Sequence, residues 1–523
     1  MKLSTAFLVS ALGFFAVSST LRSHAVELHH LSTIKLGAFD EGAAEMIAYD
    51  AETKRLFAVN NEAGSVSVID CSDPTNLKLV STLDIGEHGK APTCVETNGT
   101  LVAVTVVAED KQAPGKVVFF DTSGEFVGVA DTGALPDNVV FSPNGKLCVI
   151  ANEGEPSDDY ETDPEGSVTI VDVSSGEPGQ VTQVGFGDLE VGQDVRIFGP
   201  GATPAQDLEP EFVAVSPDSA TAWVVCQENN AVVTVDLATG KTTGIRGLGM
   251  KDHSREGNGF DASNKSEGVD IRPRPTFGLF QPDATLAHEI GGKTYLFTAN
   301  EGDAREYIVE EDNGDETISY TDEERVEDMK LDPEAFPNAE ALQKEDNLGR
   351  LKVTNATGDT DGDGDMDEIH SLGARSFSIW TTDWTMVYDS GSEFELITAE
   401  HLGKGFNSTN DEHPSFKDRS DDKGPEPEAL AIGEIDGKTY AFIGLERSGG
   451  IMVYDVTRPA EAQYAGYTNR RNFEADVESE EAGDLGPEDI EFIPAADSPN
   501  GKNLVAVANE VSGTVSLFEA VVK

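Results

Sequence analysis

The chain has 523 residues, 38% hydrophobic and 25% charged, the proportions of a folded soluble protein rather than a disordered one. Lysine and arginine number 37 against 96 aspartates and glutamates, and the formal net charge of −59 excludes a general nucleic-acid binder, whose phosphate contacts demand a basic face. Such an excess suits a setting where salt or bound calcium relieves self-repulsion.

Residues 1–25 read as a secretory signal peptide: Lys2 supplies the positive start, 6–17 a short apolar run, and Ser23-His24-Ala25 a small-residue cleavage site. The run is too short to span a bilayer, and no later stretch of about 18 apolar residues follows. The end at Lys523 carries no hydrophobic tail for a lipid anchor. The expected product is secreted and soluble, with no membrane span: extracellular, or periplasmic in a bacterium. In a eukaryotic host, sequons at Asn98, Asn264, Asn355 and Asn407 could carry glycans and make it a glycoprotein, although several are expected by chance in a chain of this size. The cysteines Cys71, Cys94, Cys148 and Cys226 allow three pairings. The compartment permits a disulfide, but no spacing specifies one, and three of the four sit in apolar strand patterns where a free thiol behaves as a small hydrophobe.

After a lone strand at 28–37, one unit recurs seven times. An apolar strand runs into a glutamate at Glu62, Glu109, Glu153, Glu228, Glu301, Glu446 and Glu510. Asn61, Asn152, Asn300 and Asn509 stand directly before four of them, and a second β-rich run usually follows, as in Ser65–Asp70 and Ser167–Val173. Units begin near Glu45, Pro92, Pro136, Glu209, Glu267, Glu426 and Glu488; the fifth is interrupted, with its last strand expected at 375–381. Tight-turn chemistry at 142–145 and 216–219 joins strands. Four short strands per unit and almost no helical periodicity predict an all-β fold: a seven-bladed β-propeller over 26–523 with long loop insertions at about 185–207, 250–266, 305–372 and 401–424. The early strand at 31–35 is expected to close the ring on the last blade.

The third long insertion holds Asp359, Asp361, Asp363, Asp365 and Asp367 at alternate positions, then Glu368, with Gly362 and Gly364 allowing tight curvature. Hard cations take six to eight oxygen ligands, so this is a candidate Ca²⁺ loop, another divalent metal being possible. His370 stands where an EF-hand has its bidentate glutamate, so the loop is read in a β context. The units also begin with acid, at Glu45, Asp137, Glu211, Glu267, Glu428 and Glu488, with Thr93 the exception. Strand direction gathers both sets of carboxylates on one face of the ring. They must bind cations, pair with basic residues or retain protons, unless each is an architectural acceptor for backbone N–H groups. Arg305, Lys423, Arg447 and the Lys251-Asp252-His253 stretch bring positive charge to that face, as an oxyanion site or as simple charge relief. Gly-x-Ser-x-Gly and a Walker lysine are both absent from the sequence.

The stretches ANEGEPSDDYETDPEGSVTIVD, TANEGDARE, NLGRLKVTNATGDTDGDGDMDE, GARSFSIW, RSDDKGPEPE and FIGLERSGGIMVYDVT resemble the choice-of-anchor I family from about Glu45 to Glu519. That family includes mesenchyme-specific cell-surface glycoproteins and atypical alkaline phosphatases. The resemblance implies an extracellular calcium-binding propeller and phosphomonoesterase activity at alkaline pH. It would place Glu153, Glu301, Asp303, Arg305, Glu446 and Arg447 at a catalytic site, with Asn152 nearby and Glu155, Asp158 and Asp159 as further metal ligands. The partner would be a small phosphate ester or another anionic substrate. The alternative is a non-catalytic calcium-binding protein of the extracellular matrix or cell surface, in contact with matrix or polysaccharide.

Overall fold

A computed structural model of the chain describes residues 25–310 and 316–523. The expected signal peptide lies outside the described residues except for Ala25. Strands dominate; the longest helix among the described residues is Glu393–Leu402, and no described helix is long and apolar enough to cross a membrane.

Seven antiparallel four-stranded sheets form the frame. Five are built from uninterrupted stretches, 47–84, 91–134, 136–185, 213–247 and 427–468. The sheet between the last two of these joins Thr285–Ile290 and Lys293–Asn300 to the distant Ser376–Thr381 and Met386–Asp389. The last sheet, 487–522, takes its fourth strand from the chain start, where Val26–Lys35 pairs antiparallel with Thr514–Val522. This is the expected closing strand, and it covers what would be an open sheet edge. First strands of successive sheets touch one another in an unbroken circuit, the last touching the first.

A separate apolar cluster fills each of the seven gaps between neighbouring sheets. Second strands are therefore covered on both faces, which is why Leu101–Val107 is apolar or buried at every position instead of alternating. Outer strands face water: in Lys78–Asp84 only Leu83 is buried. All four cysteines are buried and unpaired. Asn407 is fully buried, with Nδ2 bonded to Ser420, so its sequon is closed in the folded chain.

The insertions are more than loops. Strands Met250–Asp252, Phe277–Leu279, Glu323–Arg325, Lys352–Thr354 and His370–Ser371 assemble a five-stranded sheet, backed by Phe260, Phe336, Leu348, Leu351 and Ile369. Two boundaries differ from expectation. The fifth frame sheet starts at Thr285, leaving Glu267 exposed on a loop, and the strand expected to end it is its third. Buried ion pairs Lys251–Asp389 (2.9 Å), Arg375–Glu395 (2.6 Å) and Lys417–Asp261 (3.1 Å) link segments of the insertions with each other and with the fifth sheet.

Candidate functional site

The first strand of each frame sheet lines the central channel, so its lining side is an edge that needs no ladder partner. Proline is tolerated there, and it stands at Pro92, Pro136, Pro210, Pro282, Pro427 and Pro487. The next residue is Thr93, Asp137, Glu211, Asp283, Glu428 and Glu488 respectively; the first sheet has Ala44-Glu45 instead. In four sheets the pairing register shifts just here, between Pro92 and Val95, Pro136 and Val139, Pro427 and Leu430, and Pro487 and Asp489. A β-bulge of this kind re-aims a side chain, and all seven of these residues line the channel mouth. Asp283 replaces Glu267 in this set; the Gln281-Pro282-Asp283 sequence carried the signal, the same Pro-acid step seen in four other sheets.

A second layer comes from the residue following the second strand, and here the expected seven glutamates reduce to four. Pairing aligns Asn152 with Pro136, Leu445 with Pro427 and Asn509 with Pro487, so Glu153, Glu446 and Glu510 project into the mouth together with Glu301. In the first sheet the strand ends at Asn60 and Asn61 takes the lining position, while Glu62 is exposed. In the fourth sheet Gln227 lines the mouth in place of Glu228, and Glu109 is exposed. A one-residue offset moves a side chain to the other side. The asparagines before the lining glutamates are architectural: Asn152 Nδ2 donates to Ser167 O (3.1 Å) and Thr169 Oγ1 (3.1 Å), Asn300 Nδ2 to Ser378 Oγ (2.8 Å) and Asn509 Nδ2 to Thr514 O (3.2 Å).

Together the layers enclose a cavity of about 470 Å³ lined by twelve carboxylates and two cations, Lys423 and Arg447. Lys423 Nζ donates to Glu301 Oε1 (2.9 Å) and Asp303 Oδ1 (3.0 Å), and Gln227 Nε2 donates to Glu301 Oε2 (2.8 Å). Arg447 Nε lies 3.0 Å from Glu446 and 3.3 Å from Glu426, with Nη1 donating to Asn410 (2.8 Å). Arg419 holds the other oxygen of Glu426 at 2.7 Å. Glu301, Glu426 and Glu446, all buried, each present an oxygen within 4.8 Å of the others. Burial pushes Glu426 up, but Arg419, Lys423 and Arg447 outweigh it and keep its carboxyl below the ordinary value. Burial and Asp303 push Glu301 up to about 8 against the pull of Lys423. An adjoining cavity of about 360 Å³ shares Asp303, Lys423 and Arg447 and adds Lys352 and Arg419.

Arg305, expected at this site, is elsewhere. Its Nε donates to Glu209 (2.9 Å), Nη1 to Asp207 Oδ1 (2.7 Å) and Nη2 to Asp207 O (2.7 Å), and its guanidinium stacks 4.5 Å from the Phe198 ring centre. All three nitrogens are engaged, and Arg305 lines neither cavity. Lys423 stands in the position assigned to it. Glu153 and Asp303 do line the mouth.

In the insertion, Asp359, Asp361 and Asp367 gather within 4.8 Å, and Asp332, Asp365 and Asp367 form a second such group. Asp332 arrives from a separate segment through Asp332 N bonding Met366 O (3.0 Å), which no spacing rule could reveal. Asp363 and Glu368 fall outside both groups, Glu368 meeting His370 Nε2 at 2.9 Å. Glu155 pairs with Lys111. Asp158 is exposed, and Asp159 accepts from Ser157 Oγ (2.7 Å) and Glu161 N (3.0 Å) in its own turn; these three, expected around the shared site, line neither cavity.

Burial also holds protons on the uncompensated acids. Glu45 is pushed up to about 8, with Glu510 adding to the effect; Glu510 rises to about 7 and Asp283 to about 6, desolvation being the largest cause in each. The unfolded chain releases those protons above about pH 4.5, so folding is linked to proton uptake. In chelator, the melting temperature should therefore fall as pH rises from 5 through 8. A flat or rising profile in thermal melts would contradict this.

A family model described as the choice-of-anchor I domain matches residues 45–459, and the chain belongs to that family. It is similar to Gigasin-3a of Magallana gigas, 34% identical over 194 residues, which cover 34% of this chain and 66% of that protein. It is also similar to a mesenchyme-specific cell surface glycoprotein of Strongylocentrotus purpuratus, 26% identical over 278 residues, 49% of this chain and 35% of that protein. The chain thus spans less than two thirds of either relative. Among solved structures it is similar to the Kuenenia stuttgartiensis hydrazine synthase (TM-score 0.46, 13% identity, 93% of this chain and 98% of that one). A streptogramin B lyase gives a TM-score of 0.44 at 10% identity, covering 95% of this chain and 97% of that one.

Proposed function

We propose that this member of the choice-of-anchor I family is a secreted seven-bladed propeller whose channel mouth is a metal-dependent phosphomonoesterase site. The blade count is supported by seven sheets whose first strands make one closed circuit. An extracellular or surface setting is supported by the family and by the surface-glycoprotein relative. The observation that carries the chemistry is the placement of Lys423 and Arg447 in the walls of both cavities, beside three buried carboxylates spaced for one ion. Oxygen-only ligands of this kind fit a hard divalent cation such as Ca²⁺. Such an ion, when bound, polarises a phosphoryl oxygen and acidifies water.

The residues themselves divide the work. Arg447 and Lys423 hold phosphate oxygens by charge-assisted hydrogen bonds, with Arg419 and Lys352 extending the positive wall of the adjoining cavity. Asn410 and Gln227 fix Glu446 and Glu301 in place. Glu153 lines the mouth and is pushed well above its ordinary range by burial, Glu155 and Asp137, the direction that makes a carboxylate a stronger general base. With Glu301 at about 8, the anionic mouth forms at alkaline pH. The Asp359–Asp361–Asp367 loop is the proposed structural calcium site.

A second reading, a calcium-loaded surface or matrix protein without turnover, is favoured by the ion pairs that already engage Lys423 and Arg447. Purified protein should hydrolyse a chromogenic phosphate monoester in calcium and stop in chelator. Hydrolysis no faster than the buffer blank in calcium would leave only the second reading.

A further inference from the structure

Five arginines are buried among the described residues. Arg196, Arg274, Arg305 and Arg375 each pair with a carboxylate, whereas Arg471, 7% exposed, pairs with none among those residues. Its guanidinium meets neutral acceptors instead. Nη1 donates to Arg447 O (2.6 Å) and Nη2 to Thr409 O, and both Nε (3.2 Å) and Nη2 (2.7 Å) face His413 Nε2. The Phe473 ring covers the guanidinium, with 4.5 Å to the ring centre. These contacts tie together the two segments that equip the mouth. One is the turn that carries Glu446 and Arg447. The other holds Asn410, which donates to Glu446 Oε1 (3.0 Å) and accepts from Arg447 Nη1 (2.8 Å). Asn469 Nδ2 adds to the hold on the turn through Ser448 O and Gly449 O, both at 3.1 Å.

His413 can accept from Arg471 only while neutral. Its Nδ1 lies 2.8 Å from Ala475 O, a carbonyl that accepts and cannot donate, so the ring proton sits on Nδ1 and the Nε2 lone pair faces Arg471. A second proton would set an N–H and a positive charge against a buried guanidinium that has no anion of its own. The other titratable groups around the pair are Asp411 and Glu412 on the segment of His413, Asp476 beyond Ala475, and Tyr467, whose hydroxyl donates to Gly449 O (2.7 Å). All three acids are exposed. Burial, the largest influence, and Arg471 hold the imidazole below its ordinary value against the pull of Ala475 O and Asp476.

We propose that Arg471 is the positioning residue of the mouth and neutral His413 its latch: protonating His413 frees Arg471, unfastens Arg447 and Asn410, and closes the site in acid. The contact is complete above the ordinary histidine value of about 6.5 and is lost as pH falls below it. This names the regulation of the proposed phosphatase site and rests on that reading for its effect on turnover; the release of the two segments does not.

The test is hydrogen exchange by mass spectrometry on the full mature protein in chelator, at about pH 7.5 and about pH 5, with rates corrected for the intrinsic effect of pH. Protection over 405–410 and 445–450 should fall about tenfold or more in acid. His413→Gln offers an amide oxygen to Arg471 and an N–H to Ala475 O without titrating, so its protection should change by less than about twofold. His413→Ala removes the acceptor and should exchange fast at both pH values. No acid loss in the wild type, or the same loss in His413→Gln, overturns the latch. Kinetics carries the second arm: the acid fall in kcat/KM for a chromogenic phosphate ester should be about fivefold shallower in His413→Gln than in the wild type. Equal acid limbs overturn the regulation of the site. A wild type that turns over no ester at any pH overturns the phosphatase reading, and the exchange arm alone then decides the latch.

Discussion

Replacing Arg305 by Ala should destabilise the protein by about 3–5 kcal/mol, the loss expected when one partner of a buried ion-pair network is removed. The side chain is almost fully enclosed and joins Asp207, Glu209 and the Phe198 ring. Asp207 additionally accepts from Phe198 N (3.0 Å) and Gly199 N (2.6 Å), and Asn229 Nδ2 donates to Asp207 O (2.7 Å). Loss of the guanidinium would leave two carboxylates in a dry site and unfasten the 196–209 connection that leads into the fourth sheet. Arg305→Lys should rescue little, because an ammonium cannot span Glu209 and both Asp207 acceptors in the same plane. Urea denaturation with and without calcium reads the effect. A variant of near wild-type stability that has lost turnover would put Arg305 back among the reacting groups.

The repeat was legible because its cause is local. Strands covered on both faces must be continuously apolar, and seven such runs can be counted directly. The closing strand was legible for a related reason: 28–37 is an amphipathic β-run with no neighbour in sequence, so it had to pair at a distance. What failed was register. Asn-Glu looked like one motif in Asn61-Glu62 and Asn152-Glu153, yet the first is displaced by one residue, because the strand there ends at Asn60. Strand ends are set by pairing partners, Asn60 with Ser65 and Asn152 with Ser167, which a single strand does not contain. The Pro-acid step is the surer guide, since proline marks the channel edge independently of strand length, and it identifies Asp283. Arg305 is close to Glu301 and Asp303 in sequence, but its guanidinium pairs with Asp207 and Glu209. Glu301 and Asp303 line the mouth, whereas Arg305 lines neither cavity. Lys423, far along the chain, occupies the place beside Glu301 instead.

Arg447→Ala should lower kcat/KM for a phosphate monoester by about 100- to 1,000-fold, the usual consequence of deleting one donor aimed at developing negative charge. Arg447 is the better probe of the mouth than Lys423. Lys423 neutralises Glu301, Asp303 and Glu426 together, so its loss would change the protonation of the whole outer layer. Arg447 is 29% exposed, and Glu426 keeps Arg419 and Lys423 when it is removed. Stability should therefore fall by no more than about 1–2 kcal/mol, and the kinetic loss can be separated from unfolding. The split between constants adds a further discrimination: loss confined to KM means that Arg447 only captures the ester, while an equal loss in kcat and kcat/KM means that its contact strengthens in the transition state. Arg447→Lys keeps the charge but not the fork, so it should recover KM more than kcat if two phosphate oxygens are held at once. Unaltered kinetics in Arg447→Ala would show that its pairing with Glu446 and Glu426 is its whole purpose, and the mouth would then be a cation site alone.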